Sequence, residues 1–262
     1  GFCQAPSMPP MTKPLVSFKN AGKIYNNGTV ALAGLDLEVR GGELLTLLGP
    51  SGCGKSTILR LIAGLDNVSS GTLTRDFEQN HASIGFVFQD PTLMPWASVF
   101  DNVFLPLRLR GRARNEATAV VNEALALVGL ASSGKAFPRE LSGGMRMRAS
   151  IARALVLRPL VLLMDEPFAA LDEITRFKLN DDLLALRCEL GTTIVFVTHS
   201  VFESVYLSTR IVVMDAPGRV VDEILIDAPS PRGRDFRTSS VYAHYCAQAS
   251  RALHGAMDED LT

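Results

Sequence analysis

The stretch Gly49-Pro50-Ser51-Gly52-Cys53-Gly54-Lys55-Ser56-Thr57 follows the pattern G-x-x-x-x-G-K-[ST]. Its glycines let the backbone fold so that N–H groups point inward at phosphate oxygens. Lys55 places a point charge on the outer phosphates, and Ser56 offers a hydroxyl to Mg²⁺. The apolar run Leu44–Leu48 before the loop reads as a buried strand. Residues 58–64 read as the start of a helix, whose partial positive N-terminal end favours an anion. A Gly-rich segment by itself also fits an ordinary turn. The strand before it and the helix after it select the phosphate-binding reading.

The bulk numbers fit that reading. The chain has 262 residues, enough for one large domain or a core with a smaller insert, and 47% of them are hydrophobic. Its 26 basic and 27 acidic residues leave a net charge of −1, which argues against a dedicated nucleic-acid binder. No uninterrupted apolar stretch reaches the about 18–20 residues needed to span a bilayer. Residues 1–10 lack the basic start and apolar block of a secretory leader. That segment begins without Met and contains Pro6, Pro9 and Pro10, so 1–12 reads as disordered or left over from expression, with Met8 or Met11 the natural start. Cys3, Cys53, Cys188 and Cys246 make no paired metal spacing and read as reduced thiols in a reducing compartment.

Along the chain, residues 15–30 read as strand, turn and strand around Asn26-Asn27-Gly28, and 35–39 alternates like a half-buried strand. Further strands are expected at 43–48, 71–74, 84–88, 161–164, 193–197 and 211–214. Between residues 90 and 141 the character changes: Pro91 and Pro95 punctuate a loop, and 115–128 carries apolar residues at helical spacing. This stretch reads as a helical insert. Helices are expected at 142–157, opened by Ser-Gly-Gly, and at 175–190, ended by Gly191. Buried strands alternating with helices imply a parallel α/β core. Pro229, Pro231 and Gly233 make a linker, and 239–253 fits one surface helix.

Val161-Leu162-Leu163-Met164-Asp165-Glu166-Pro167 puts two acids at the C-terminal end of a buried strand, the edge where ligands bind in open α/β sheets. Asp165 suits Mg²⁺, held through water. Glu166 points to the other side of the strand end, where it would polarise a water in line with the γ-phosphate.

Five further segments, in order, resemble the ATP-binding cassette (ABC) ATPases. Tyr25 in Lys23-Ile24-Tyr25 resembles the aromatic A-loop, and Gln89 ending Phe86-Val87-Phe88-Gln89 resembles the Q-loop. Leu141-Ser142-Gly143-Gly144-Met145 resembles the signature motif, Ala170-Leu171-Asp172 the D-loop, and His199 in Val197-Thr198-His199-Ser200 the switch histidine. The resemblance covers about 15–226. It implies a P-loop NTPase (RecA-like) core with an antiparallel β subdomain and an inserted α-helical subdomain. The domain would span 13–226, with the helical part at about 91–155 and a linker and helix at 227–262.

The resemblance also assigns roles. Tyr25 would stack on adenine, an aromatic face on a flat base; a plain hairpin-edge tyrosine is the other reading. Residues 49–57 would hold the phosphates of ATP, with Ser56, Gln89 and Asp165 at Mg²⁺. Gln89 would contact the metal or the attacking water and move with the helical insert. Glu166 would be the base, and His199 would touch the γ-phosphate. Ser142, Gly143 and Gly144 would cap the γ-phosphate held by a second subunit, using a hydroxyl, free N–H groups and a positive helix end. That implies a head-to-tail dimer with two ATP between the subunits and Asp172 at the seam.

Met145 stands where the signature most often has Gln, and Met147 replaces a commonly polar residue. Cys53 lies near a helix N-terminus, so a lowered thiol pKa, and alkylation blocked by bound ATP, is one expectation. A small, inert buried residue is the other.

The short stretch between Gln89 and Leu141 has no room for the long coiled coils of repair ATPases, and the chain has one cassette and no membrane span. Such a free-standing cassette implies a separate membrane permease, served by a solute-binding protein, with the cassette at the cytoplasmic face of the membrane. Residues 91–99, Met145-Arg146, 170–176 and 200–205 look like the importers of nitrate, sulfonate and taurine, a group that includes importers of vitamin precursors. A non-transport ATPase, such as an iron–sulfur assembly factor, or an exporter motor is the alternative. Trp96, the single tryptophan, either faces the permease from a groove formed by 93–100 or packs inside the helical insert.

Overall fold

The computed structural model describes residues 14–77, 84–228 and 232–258. The expectations for residues 1–12 and for Pro229 and Pro231 lie outside them. Two sheets organise the chain. Strands β1 (Val16–Ile24), β2 (Val30–Val39) and β4 (Ser70–Arg75) form an antiparallel sheet in the order β2-β1-β4. Strands β3 (Leu44–Leu48), β5 (Ile84–Val87), β6 (Val161–Asp165), β7 (Thr193–Thr198), β8 (Arg210–Asp215) and β9 (Arg219–Leu225) form a second, in the order β5-β6-β7-β3-β8-β9. Its pairings are parallel except β8 with β9.

Both faces of the second sheet are covered, which is why β3, β7 and β8 read as unbroken apolar runs. Leu45, Leu47, Val195 and Val197 join one core, shared with helix α1 (Lys55–Ile62) and the antiparallel sheet. Leu44, Leu48, Ile194 and Phe196 face the other, shared with the remaining helices. These are α2 (Val99–Leu109), α3 (Arg114–Leu127), α4 (Gly143–Leu155), α5 (Glu173–Leu190), α6 (Val201–Leu207) and α7 (Ser240–Asp258).

The differences from the sequence reading have local causes. Helix α1 begins at Lys55, three residues before the apolar run, because Gly54 serves as its N-cap. The segments read separately on either side of Gly34 are one strand, β2, whose register shifts near that residue (φ +76°). Helix α2 was hidden by Pro106; Ser98 caps it, accepting a bond from the Asp101 N–H at 3.1 Å. Helix α6 and strand β9 were also missed, the first for its length and the second because only one residue of it is buried.

The C-terminal segment is locked to α6. Arg232 is buried and donates to the carbonyls of Val205, Tyr206 and Ser208 at 2.7–2.8 Å, closing the helix end where carbonyls lack partners. Burial pulls its guanidinium pKa down to about 10. Tyr206 in turn donates to Asp181 on α5 at 2.6 Å. Arg232→Met therefore strips charge-assisted bonds from three carbonyls. The expected loss is about 2 kcal/mol of unfolding free energy, read as a lower denaturant midpoint at unchanged slope.

Candidate functional site

Three central strands deliver their last residues to one edge. Register pairs Leu48 of β3 with Thr198 of β7, and Asp165 of β6 with Val197. The phosphate-loop sequence, the acidic pair and His199 therefore leave the sheet side by side, as expected at the C-terminal ends of parallel strands.

The loop at 49–54 is shaped by what surrounds it. Gly54 has φ +102°, and a Cβ there would lie 2.5 Å from the Ala31 carbonyl. A Cβ on Gly49 would lie 2.5 Å from the Met214 carbonyl and 2.8 Å from Cys53 Sγ. Gly52 also has positive φ. Pro50 and Ser51 complete the turn, and Thr57 lies in the first turn of α1. Lys55, 4% exposed, folds back over the loop: its Nζ donates to Gly49 O at 2.9 Å and Pro50 O at 2.6 Å, and reaches Cys53 Sγ at 3.6 Å.

Ser56 Oγ donates to Asp165 Oδ1 at 2.9 Å. Burial raises the Asp165 pKa, Glu166 adds to the rise, and the Ser56 bond and Lys55 oppose it. Two hard oxygens thus sit together beside the loop, a donor set suited to Mg²⁺. Among the described residues no cluster of three or more metal-binding side chains forms. A cation here would take its other ligands from phosphate and water.

Glu166 adopts φ +44°, a costly conformation for a residue with a side chain. Its N–H bonds the Val197 carbonyl at 3.0 Å, which anchors the bend between two strand ends. The carboxylate meets His199, with Nδ1 3.2 Å from Oε2. Tyr25 joins the group through its hydroxyl, 3.1 Å from Thr57 Oγ1, and Lys23 Nζ lies 5.1 Å from the Tyr25 ring centre. Gln89 is exposed on the link after β5, one strand out from Asp165.

A second group gathers elsewhere. Ser142 caps α4, accepting from the Met145 N–H at 3.3 Å, and Asp172 caps α5, accepting from the Thr175 N–H at 2.9 Å. The bond to Thr175 holds the Asp172 carboxyl below its ordinary pKa. The two helix starts press together: a Cβ on Gly143 would meet Leu171 at 3.3 Å, and one on Gly144 would meet Thr175 at 2.6 Å. Among the described residues no hydrogen bond joins this group to the phosphate-loop group.

Trp96 is 77% exposed, which removes the alternative that it packs inside the helical insert. The buried Asn102 side chain donates to the carbonyls of Met94, Ala97 and Ser98 at 3.0–3.2 Å and accepts from the Met94 N–H at 2.7 Å. Arg153 ties the carbonyls of Pro91 and Thr92 to α4. The loop is braced from inside, with Trp96 on its outer surface.

Sequence reasoning missed the trio Thr198, Glu203 and Arg176. Glu203 is 7% exposed, accepts from Thr198 Oγ1 at 2.6 Å, and pairs with Arg176 Nε at 3.5 Å. The signal was present: Ser200-Val201-Phe202-Glu203 fits the sequence pattern of a helix start, [ST]-x-x-[DE], although here the Ser200 N–H bonds Thr198 rather than Glu203. It marks the start of α6, and Ser200 does cap that helix.

Comparison with known proteins gives the family. Residues 32–169 match the ABC transporter family. An uncharacterized ABC transporter ATP-binding protein of Methanocaldococcus jannaschii is 46% identical over 82% of this chain and 84% of its own. The taurine import ATP-binding protein TauB of Rhizobium johnstonii is 41% identical over 89% and 93%. A dimeric ATP-binding cassette solved in a post-hydrolysis state with ADP and Pi superposes with a TM-score of 0.72 at 33% identity, over 82% of this chain and all of that one. The fold is that of a P-loop NTPase with an antiparallel β sheet and added helices. The chain belongs to the ABC transporter family and is one of its ATPases.

One expectation is overturned. Cys53 was expected to have a lowered thiol pKa from its place near a helix start. It is 1% exposed, and burial raises the pKa despite Lys55 nearby. The thiol stays protonated at neutral pH, so Cys53 should react slowly with iodoacetamide with or without ATP. Among the described cysteines the exposed Cys188 should label first. Peptide mass spectrometry over a pH series checks this; the Cys53 rate should climb only as pH rises well above that of an ordinary thiol.

Proposed function

We propose that this chain is the ATP-hydrolysing motor of an importer for a small, often anionic, organic solute of the sulfonate and taurine kind. It works as a head-to-tail dimer with two Mg-ATP between the subunits, docked on a membrane permease at the cytoplasmic face and served indirectly by a solute-binding protein. The observation that carries the chemistry is the meeting of Ser56 with Asp165 and of His199 with Glu166 at one sheet edge beside the loop. The name of the Rhizobium relative supports import, and the dimeric cassette supports the assembly.

Lys55 has three N–H donors; two go to loop carbonyls, and the third rests near a weakly accepting sulfur. A phosphate oxygen takes that third donor. Ser56 and Asp165 would hold Mg²⁺, which would neutralise phosphate charge, and Gln89 would reach the metal or the water. Glu166 takes the proton of the attacking water, and His199 orients the carboxylate and contacts the γ-phosphate. Tyr25, steadied by Thr57, offers its ring to adenine. The separate group at Ser142, Gly143, Gly144 and Asp172 serves the phosphate of the opposite subunit.

Glu166→Gln should leave ATP binding intact, accumulate an ATP-bound dimer and cut turnover by about a hundredfold or more. Steady-state hydrolysis and size-exclusion chromatography with ATP read this; near-normal turnover would remove Glu166 from the base role. Lys55→Ala should instead weaken ATP binding by about tenfold or more.

Partner choice is tested by pull-down from detergent-solubilised native membranes. A polytopic permease is expected; a soluble scaffold alone would overturn the transport reading and leave the ATPase chemistry standing. Trp96 is the exposed aromatic of the docking loop. Trp96→Ala should weaken capture of that permease by about thirtyfold, as loss of an aromatic anchor does, with ATP hydrolysis by the isolated cassette unchanged.

A further inference from the structure

We propose that Arg176 and Glu203 form a link, made within one chain, that sets the switch-histidine loop according to the position of the D-loop, and that both are positioning residues for hydrolysis. The proposal rests on the catalytic reading of His199 and Glu166 given above.

The link can be followed atom by atom. Arg176 sits one turn into α5, and its Nη2 donates to the Leu171 carbonyl at 3.1 Å, inside the segment that precedes Asp172. Its Nε faces Glu203 Oε1 at 3.5 Å. The other carboxylate oxygen of Glu203 accepts from the Thr198 hydroxyl at 2.6 Å. That hydroxyl accepts from the Ser200 N–H at 3.0 Å. Thr198 and Ser200 flank His199, so the residues on either side of the histidine share one hydroxyl, and that hydroxyl answers to Glu203. At the far end, Leu171 borders Gly143 closely enough that a Cβ on the glycine would lie 3.3 Å from it. A continuous path thus runs from the start of α4, through Leu171, Arg176, Glu203 and Thr198, to His199 and Glu166.

Two features separate this pair from ordinary core stabilisation. Glu203 spends its charge inside the protein, with 8% of its side chain exposed, while Arg176 keeps 31%. A buried ion pair is often no more stabilising than apolar packing, so its presence asks for another purpose. The Nε and Oε1 atoms also lack a hydrogen-bonded partner in this conformation, although they face each other. The pair is one short step from a direct bond, and a small advance of the D-loop closes that gap. Closure then draws on Glu203 and steadies Thr198, and His199 is held against Glu166.

Glu203→Gln keeps the shape and an acceptor for Thr198 but removes the charge that Arg176 meets. It should lower kcat for ATP about tenfold, because small misplacement of a catalytic group is costly. KM and nucleotide affinity, measured with a fluorescent ATP analogue, should stay within about twofold, since no nucleotide-contacting group is altered. Thr198→Val, which keeps the ion pair and cuts the path at its other end, should give the same selective loss. Arg176→Lys should retain more turnover than Arg176→Ala. The Arg176→Ala/Glu203→Gln double variant should be no slower than the worse single variant, because both break one path.

The idea is overturned if soundly folded Glu203→Gln and Thr198→Val keep normal kcat. It is equally overturned if their loss appears as weaker ATP binding, or if the two single effects multiply. Glu166→Gln run alongside separates the two levels of argument. If that variant turns over normally, the catalytic reading itself is wrong. If it is inactive while Glu203→Gln and Thr198→Val are normal, only the link fails.

Discussion

A backbone held where a side chain would not fit governs the nucleotide site. Gly54 stands at φ +102° with the Ala31 carbonyl 2.5 Å from the place a Cβ would take. Gly218, in the turn between β8 and β9, faces the same carbonyl: a Cβ there would lie 2.6 Å from it. The antiparallel sheet therefore does more than cover one face of the core. Through Ala31 and Leu32 it is the wall that fixes both the loop leaving β3 and the turn leaving β8. The loop's N–H groups can aim at an anion only while that wall holds the backbone in this shape.

Charge is arranged around that cradle as two poles. Lys55 and the start of α1 make the positive one; Asp165 and Glu166, adjacent in sequence, make the negative one. Burial already raises the Asp165 pKa and Glu166 raises it further, so the acidic pole is short of positive charge. On the proposed reading, a divalent cation between Ser56 and Asp165 would supply what is lacking and would bring phosphate with it. The bent backbone at Glu166 turns its carboxylate towards His199, although Asp165 still feels its charge.

Much of this was legible in sequence. The loop, the acidic pair and His199 follow strands that are apolar throughout, and such strands announce themselves when both faces of a sheet are buried. The signature residues Ser142 to Gly144 were legible by resemblance, and the structure adds a packing reason for Gly144: Thr175 occupies the space. Other features left weaker marks. Helix α2 contains Pro106, α6 is barely two turns long, and β9 buries one side chain, so none carried a full period. The raised pKa of Cys53 was hidden because burial and a nearby cation pull in opposite directions, and only the fold decides which prevails. Arg176 and Glu203 lie far apart in sequence on two helices, and nothing local foretells that they meet.

The two clusters of site residues explain one another. The phosphate-loop group gathers Lys55, Asp165, Glu166 and His199, while the Ser142 group is a separate helix start, capped by its own serine, with no hydrogen bond to the phosphate-loop group among the described residues. Each offers what the other lacks, which is what the proposed head-to-tail pairing of two copies would bring together. In such a pair, the helix start that caps one ATP is packed through Gly143 and Gly144 against Leu171 and Thr175 of its own chain. The residues that would feel the opposite nucleotide thereby border the segment leading to Arg176. If the proposed link holds, a single chain would answer the nucleotide it caps for its neighbour by adjusting the His199 loop at the nucleotide it holds itself, without any flexible relay between them.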